Sequence, residues 1–415
     1  MTRLPRSYAR LFAASTVSNL GDGITASAGP LLALSLTRDA RLIALVTFAA
    51  TLPWLVLSLP AGVWLDRWDR RAAMVRANLG RCAVFAVIAL ATWTGTLGIP
   101  LLLACSLAIG ACEVVVDMAA QAFLPSVVPP ELLERANGRL YAVEIVTNSF
   151  LGLPLGAWLF AAVAAAPFGV NALALLASAA LLAGVRTIAA PAVERGTVAP
   201  ADAEATPAPA PGRFRRELRE GLGWLRRHRL LRTLALMLGV ANMCHTFGAS
   251  VFVKYASEEL GLGPRGFGLL LSAMALGSVA GGLLGERVAR RLGAGPAIVA
   301  AYAIFAAADA VPGLLPRVAA VAASGVVMSV AGTVWNVVTV SLRQRLIPPE
   351  LFGRVNSVYR FLGTGTMALG AVLGGLVAHR FGLRATYLVS AATISVALAA
   401  GARTLLRDAG VGATA

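Results

Sequence analysis

The chain has 415 residues, of which 58% are hydrophobic and only 13% are charged, whereas an average soluble domain carries roughly 25% charged residues. This charge content cannot cover a water-exposed surface, which excludes an ordinary soluble protein. The formal net charge of +16 does not indicate a nucleic-acid partner, because the basic residues cluster at the ends of apolar blocks and form no continuous face.

Apolar blocks longer than the roughly 18 residues that suggest a membrane span recur along the whole chain. They predict an all-α membrane protein with twelve transmembrane helices. The first block is too long for the apolar region of a signal peptide. The predicted helices cover residues 10–36, 42–65, 72–97, 100–124, 139–164, 168–188, 230–255, 266–288, 295–315, 318–342, 355–379 and 383–405.

The basic residues predict the orientation. With both termini in the cytoplasm, 29 of the 36 lysines and arginines lie in cytoplasmic segments, as the positive-inside rule requires. Five of them follow the second helix, namely Arg67, Arg70, Arg71, Arg76 and Arg81. We therefore expect a multi-pass protein of the cytoplasmic membrane, N-in and C-in.

Two pairs of similar segments indicate a tandem repeat. VVPPELLERAN at 127–137 matches LIPPELFGRVN at 346–356, a shift of 219 residues. GVWLDRWDRR at 62–71 matches GLLGERVARR at 282–291, a shift of 220 residues. The repeat predicts two pseudo-symmetric six-helix bundles, residues 1–189 and 230–415, which handle a substrate between them.

Residues 190–229 form the predicted cytoplasmic linker. The first part, APADAEATPAPAPG, has a composition with nothing to fold around. The second part, RFRRELREGLGWLRRHR, places Phe214, Leu218, Leu222 and Leu225 at helical spacing among arginines. Two interpretations stay open: an amphipathic helix on an anionic cytoplasmic leaflet, and a basic loop that only sets the topology.

The segment after the second helix resembles the signature Gly-x-x-x-Asp-Arg-x-Gly-Arg-Arg/Lys of the major facilitator superfamily. Here it reads Gly62, Asp66, Arg67, Arg70 and Arg71, with Asp69 in place of the second glycine. SNLGDG in the first helix and the PPEL-x-x-R-x-N loops resemble the twelve-helix drug:proton antiporter branch, which includes macrolide and enterobactin exporters. The resemblance implies proton-coupled efflux of drugs, secondary metabolites or siderophore-like molecules by alternating access.

Two features depart from that branch. The fourth helix has no arginine at mid-depth, and the fifth helix reads GLPLGAW at 152–158 in place of the antiporter signature Gly-Pro-x-x-Gly-Gly. An importer and a lipid or metabolite flippase therefore stay open as alternatives, since a fold does not fix substrate or direction.

The signature after the second helix is interpreted as a cytoplasmic latch. Gly62 allows close helix approach, Asp66 faces a helix N-terminus, and Arg67 or Arg71 pairs with an acid. The resemblance implies that this acid is Asp117 in the fourth helix. The second copy, expected to act more loosely because Asn336 replaces the acid, consists of Gly282, Glu286, Arg287, Arg290 and Arg291.

Two acids, Asp22 and Glu113, fall near the centres of the first and fourth helices. An ionised side chain at that depth costs roughly 2.5–3.5 kcal/mol. We expect no arginine at comparable depth in the first half, so that the membrane interior favours the protonated carboxyls, as a proton-coupling site requires. The structural alternatives are a helix break at Gly21 and Gly23, capped by Asp22, and a hydroxyl partner for Glu113.

Several polar residues are candidates for the transport cavity. Asn19 lies three residues before Asp22, and Asn242 and His245 repeat this spacing in the seventh helix. For His245 a satisfied interior position is equally open. The remaining candidates are Gln121, Glu144, Asn148, Trp335 and Asn336. Asp309 is expected at the outer interface.

An ATP-driven pump is excluded, because the Walker A motif needs a lysine after its glycines and the only lysine is Lys254. Energy must come from a gradient. The chain shows no residue pattern typical of an intramembrane enzyme, and no metal or cofactor is expected. The expected partners are a small-molecule substrate, protons and the lipid bilayer, and the expected state is a monomer.

Overall fold

A computed structural model of the chain describes residues 5–65, 68–129, 132–185 and 213–411. Within these ranges the regular structure is entirely helical, which confirms the predicted class. The first half contains α1 (Arg6–Leu36), α2 (Ala40–Leu65), α3 (Arg70–Trp93), α4 (Ile99–Phe123), a 3-10 turn (Leu124–Ser126), α5 (Leu133–Glu144), a π-helical segment (Ile145–Gly152), α6 (Leu153–Ala162) and α7 (Ala166–Ala183). The remainder contains α8 (Arg213–Arg227), α9 (Arg229–Ala249), α10 (Phe252–Glu258), α11 (Pro264–Leu292), α12 (Ala294–Leu314), α13 (Val318–Leu346), α14 (Pro349–Phe381) and α15 (Leu383–Val411).

A helix stands at each of the twelve predicted positions. The fifth consists of α5, the π-helical segment and α6 in direct succession. Among the described helices, ten are long and apolar enough to cross a membrane. Helices α1 and α11 do not belong to these ten, so the number of twelve membrane spans stays a prediction.

The two halves use corresponding helix pairs. In the first half, α1 packs on α7 and on the π-helical segment, α2 packs on α4, and α3 packs on α4 and α7. In the second half, α9 packs on α15 and α14, α11 packs on α13, and α12 packs on α13 and α15. Each pair of one half has its counterpart in the other at the sequence position given by the repeat, as expected for a duplicated six-helix unit.

The halves touch along the parts of α2 and α14 nearer one end of the helix array, as far as Leu55 and Gly365, where an added Cβ would lie 2.7 Å from Cδ1 of Leu55. This end, which holds the α1–α2 and α14–α15 connections, is called the Asp39 end; the opposite end, which holds the α2–α3 connection, is the Arg71 end. A Cβ added to Gly375 of α14 would lie 2.5 Å from the Cβ of Ala44 in α2. A Cβ added to Gly268 of α11 would lie 2.4 Å from the Cβ of Ala157 in α6. Glycine permits this close approach, and the Asp39 end is closed.

Replacing Gly375 with leucine is expected to separate the halves at the Asp39 end, because overpacking a tight contact costs about 1–3 kcal/mol. Gly29→Leu is the matched control, since a Cβ at Gly29 meets no atom within 4 Å. The measurement is the rate at which an impermeant maleimide reaches a cysteine placed at Ser18 from the Asp39 side, with the native cysteines replaced. The rate should rise in Gly375→Leu alone; equal rates in both variants would contradict the closed contact.

A fissure separates the halves at the Arg71 end. Its volume is about 660 Å³, and it lies between α5 with the π-helical segment on one side and α11 with α13 on the other. Tyr141 and Val146 on the first wall are 62% and 49% exposed. The second wall carries Gly282, Asn336 and Val337. The two halves therefore meet at the Asp39 end and diverge toward the Arg71 end.

The second part of the linker forms helix α8, which packs on α14 and α9. Leu225 is buried, and Leu222 packs on the core of the second half. Leu222 and Leu225 therefore rest on an apolar surface that α9 and α14 offer within the chain, and contact of α8 with the lipid leaflet stays a prediction. Arg226 and Arg227 remain exposed. The side chains of Phe214 and Leu218 and the first part of the linker lie outside the described residues.

Candidate transport cavity and ion-pair cluster

A polar cavity of about 450 Å³ lies within the first half. It extends to the Arg71 end, where Leu124 and Asn137 line it. Trp54 of α2 supplies an aromatic wall. The other polar lining residues are Ser15, Ser18, Asn19, Asp22, Asn78, Arg81, Glu113, Asp117, Gln121, Glu144, Asn148 and Ser178.

Arg81 of α3 joins two acids in the wall of this cavity. Its Nη2 lies 2.5 Å from Oδ1 of Asp22 in α1 and 3.1 Å from Oε1 of Glu113 in α4. The Arg81 side chain is 3% exposed, against 26% for Asp22 and 40% for Glu113. The guanidinium is therefore enclosed while both carboxylates reach the cavity. A buried cation of this kind is tolerated because it is paired and hydrogen-bonded.

The expectation that no arginine lies at mid-depth in the first half is wrong. Arg81 belongs by sequence to the basic cluster after the second helix, but it stands eleven residues, or roughly 16 Å along the helix axis, beyond Arg70. Asp69 indicates this depth, because it caps the N-terminus of α3 and so fixes where the helix begins. Its Oδ1 accepts a hydrogen bond from the backbone N–H of Ala72 at 3.1 Å. A helix that starts at Arg70 carries Arg81 into the interior.

Two glycines fix the position of Asp22. A Cβ at Gly21 would lie 2.1 Å from Oδ1 of Asn171 in α7, and a Cβ at Gly23 would lie 2.1 Å from the carbonyl oxygen of Asn148 in the π-helical segment. Helix α1 runs without a break from Arg6 to Leu36, so Asp22 does not cap a break there. Its carboxylate is instead held toward Arg81 between two closely packed neighbours. Short π-helical segments are frequent at functional sites.

The acids exceed the cations in this cavity. Asp22, Glu113, Asp117 and Glu144 line it, with Arg81 as the cation of the lining. Among the lining residues, carboxyl side chains therefore outnumber cationic side chains four to one.

The predicted cavity residues occupy different places. Asn19 and Gln121 line the polar cavity, where Gln121 donates to Asp117 at 2.9 Å. Asn242 donates to the carbonyl of Gly363 at 3.0 Å and so joins α9 to α14. The other predicted members are His245, which is exposed on α9, Asn336, which lines the fissure, and Trp335, which is buried.

Asp309 is 9% exposed in α12 and accepts a hydrogen bond from the hydroxyl of Ser390 in α15. Helix α15 covers this face of α12, and the depth of Asp309 at the outer interface stays a prediction.

The structure describes only some residues of the predicted cytoplasmic latch. Asp66 and Arg67 lie outside the described residues, and Gly62 stands in the last turns of α2. Arg71 donates to the carbonyl of Val185 at 3.0 Å, an interaction that stabilises the C-terminal end of α7 and that the motif did not predict. Arg70 is half-buried at the start of α3. The pairing of this region with Asp117 stays a prediction.

The second latch copy lies at the end of α11. Gly282 is exposed and lines the fissure between the halves. Arg287, Arg290 and Arg291 are exposed in the last turns of α11, and the side chain of Glu286 lies outside the described residues. Of the described residues of this copy, Gly282 faces the fissure.

Charged residues reinforce the closed Asp39 end. Arg38 lies 3.7 Å from Glu258 of α10, and Asp39 lies 3.5 Å from Nδ1 of His379 in α14. Arg265 of α11 sits over the Trp158 ring of α6 at 5.7 Å. Each contact joins one half to the other, and because most of these side chains are exposed, each contributes modestly.

Closure of this end should not change between pH 5 and pH 8 through Asp39. The hydrogen bonds from Arg41 lower the pKa of the Asp39 carboxyl from 3.8 to about 2. A depressed folded-state pKa means that the stabilisation is complete above the ordinary value and is lost as the pH falls through about 2. Maleimide access to a cysteine at Ser18 should stay slow across this range. Opening between pH 6 and pH 5 would contradict the prediction.

Comparison with known proteins gives consistent matches. Residues 5–412 match the model of a family described as transmembrane secretion effector. The multidrug efflux pump Tap of Mycolicibacterium fortuitum is 30% identical over 387 residues, which cover 91% of this chain and 90% of that protein.

Solved structures share the fold. A bacterial homologue of the iron transporter ferroportin in its inward-facing state superposes with a TM-score of 0.70, at 18% identity and covering 98% of this chain and 100% of that one. The outward-facing state of a bacterial ferroportin homologue gives a TM-score of 0.59, at 17% identity and covering 95% and 98%.

Proposed function

The chain belongs to the transmembrane secretion effector family, a family of major facilitator superfamily (MFS) transporters. We propose that it exports small molecules across the cytoplasmic membrane in exchange for protons. The proposed architecture is twelve spans in two six-helix bundles, residues 1–189 and 230–415, joined by the linker 190–229. The corresponding helix pairs of the two halves support this division. The concentration of arginines at the Arg71 end supports an N-in, C-in orientation with that end in the cytoplasm.

The structure corresponds, on this proposal, to the inward-facing state. The halves touch at Gly375 and Gly268 near the Asp39 end and diverge at the fissure near the Arg71 end. The higher similarity to an inward-facing than to an outward-facing ferroportin homologue is in line with this assignment. Alternating access then requires the fissure to close and the Asp39 end to open.

The observation that carries proton coupling is the contact of Arg81 with both Asp22 and Glu113. With both carboxyls ionised, this cluster has a net charge of −1, whereas one bound proton makes it neutral. A neutral cluster is cheaper to enclose when water leaves the cavity. The proton therefore binds while the cavity faces outward, and its release on the cytoplasmic side restores the second contact of Arg81.

Export is the direction that the relatives support. Tap is a multidrug efflux pump, and the match covers nine tenths of both chains. The polar cavity combines carboxylates with Trp54 and apolar side chains such as Leu11 and Val116, which suits small amphipathic molecules. The alternatives on the same fold are an importer and a lipid or metabolite flippase.

Everted membrane vesicles containing the full chain test the proposal. When the interior is made acidic, the vesicles should accumulate a lipophilic fluorescent compound from a panel that includes ethidium, and Asp22→Asn should remove this uptake. Asp69→Asn is the control, because Asp69 is exposed outside the cavity and asparagine caps helices equally well. Uptake only in right-side-out vesicles would favour the importer, and full activity of Asp22→Asn would refute this coupling site.

A further inference from the structure

A groove on the first half has the form of a lipid-binding site. It has a volume of about 700 Å³ and runs between the start of α1 and the face of α5. Arg135 and Arg139 line its mouth at the Arg71 end. The remaining lining residues are Pro5, Tyr8, Ala9, Phe12, Ala142, Val143 and Val146, with small or apolar side chains apart from the tyrosine hydroxyl.

A hydrogen bond holds the two walls of the groove together, and several of its lining residues are exposed. The hydroxyl of Tyr8 donates to the carbonyl of Ala136 at 3.0 Å and joins α1 to α5 at its floor. Arg135, Arg139 and Ala142 are exposed, and Val146 is 49% exposed. From Arg135 to Val146 the helix rises by roughly 16 Å, which is close to one leaflet of a hydrocarbon core roughly 30 Å thick. With the Arg71 end at the membrane surface, the two arginines would lie at headgroup depth and the apolar part of the groove at acyl-chain depth.

In the second half, helix α8 lies on the surface that corresponds by the repeat to this groove. Arg354 of α14 stands 219 residues after Arg135 and donates to Oε2 of Glu220 in α8 at 2.7 Å. Gly221 of α8 packs directly on the backbone of Arg354, where an added Cβ would lie 2.8 Å from the carbonyl oxygen. In the second half, helix α8 thus contacts the repeated arginine through an acidic side chain and through its backbone at Gly221.

We propose that an anionic phospholipid of the leaflet at the Arg71 end occupies the α1–α5 groove, with its phosphate at Arg135 and Arg139 and one acyl chain along Ala142 and Val146. The lipid takes the place that α8 has beside α9 and α14 in the second half, with its acyl chain in the place of Leu222 and Leu225. Two arginines match an anionic headgroup, and burial of an acyl chain contributes in proportion to the methylene groups removed from water. The proposal requires only that the protein lies in a membrane, and it is independent of proton coupling.

Native mass spectrometry of the purified full chain in a neutral detergent measures lipid binding at this site. Titration with palmitoyl-oleoyl phosphatidylglycerol should give one tight binding event that phosphatidylcholine with the same chains does not give. The Arg135→Gln/Arg139→Gln variant should bind phosphatidylglycerol about 30-fold more weakly, as expected for two arginines near a lipid surface. Arg226→Gln/Arg227→Gln is the matched control, because it removes equal charge from exposed positions of α8 and should leave the affinity unchanged.

A second variant separates a lipid from a free phosphate. Ala142→Trp keeps both arginines and fills the groove, so it should weaken phosphatidylglycerol binding as well, and millimolar inorganic phosphate should not displace the lipid. Four outcomes would overturn the proposal: equal binding of phosphatidylcholine, equal loss in the α8 control, full affinity in Ala142→Trp, or displacement by inorganic phosphate. Size-exclusion profiles that match the wild type establish that the variants are folded.

Discussion

Replacing Arg81 with leucine is expected to abolish transport and to destabilise the folded chain by about 3 kcal/mol. Without the guanidinium, Asp22 and Glu113 are neighbouring carboxylates that have lost their shared cationic partner. Both then lie beside the apolar side chain that the substitution introduces at position 81. Their partial exposure to the cavity keeps the effect at the lower end of the range for a broken buried ion pair. The measurements are thermal unfolding of the purified chain and gradient-driven uptake in everted vesicles.

Neutralising the whole cluster separates folding from transport. Arg81→Leu combined with Asp22→Asn and Glu113→Gln removes every charge of the cluster and should recover most of the lost stability, because no carboxylate is left unpaired. It should remain inactive, because no group is left to carry the proton. Arg76→Leu is the control, since Arg76 is exposed on the same helix. Wild-type stability and uptake in Arg81→Leu would show that neither folding nor transport requires the contacts of Arg81 with Asp22 and Glu113.

Glu113→Gln is expected to uncouple transport from the proton gradient. Glutamine keeps the size of the side chain and a carbonyl that accepts from Arg81, but it does not change charge. The cluster then has one fixed state, in which Arg81 and Asp22 neutralise each other. Accumulation in acid-loaded vesicles should fall to the level of vesicles without the protein, whereas exchange of labelled for unlabelled substrate across the membrane should continue.

The conservative variant Glu113→Asp is the matched comparison, because it restores a titratable carboxyl and should recover part of the accumulation. Loss of both accumulation and exchange in Glu113→Gln, in a protein that still folds, would mean that Glu113 binds the substrate and does not transmit the proton. Unchanged accumulation would exclude it from coupling.

The helical architecture could be predicted from the sequence, because burial in lipid leaves a simple signal. Long apolar blocks gave the class and the positions of the helices, and the 219- and 220-residue shifts anticipated the corresponding helix pairs. Asp22 and Glu113 could also be selected, since an acid in an apolar block is conspicuous. These features depend only on composition and periodicity along one helix.

The partner of the two acids could not be predicted in this way. Arg81 resembled the topogenic arginines around it, and only the start of α3 at the Asp69 cap reveals its depth. Which polar residues face one cavity depends on helix rotation, which explains why Asn19 and Asn336 line different spaces. The packing of Leu222 and Leu225 of α8 on the second half could not be predicted either, because helical spacing of apolar residues does not identify the apolar surface that they contact.

On the proposed mechanism, the Asp22–Arg81–Glu113 cluster takes up and releases a proton. Infrared difference spectroscopy of the purified full chain in liposomes, as the pH is stepped, measures this directly and needs no substrate. We expect a titrating carboxyl C=O band in the wild type that is lost in Glu113→Gln and displaced or lost in Asp22→Asn, with no change in Asp69→Asn. A band that titrates identically in the wild type, Glu113→Gln and Asp22→Asn would contradict this mechanism.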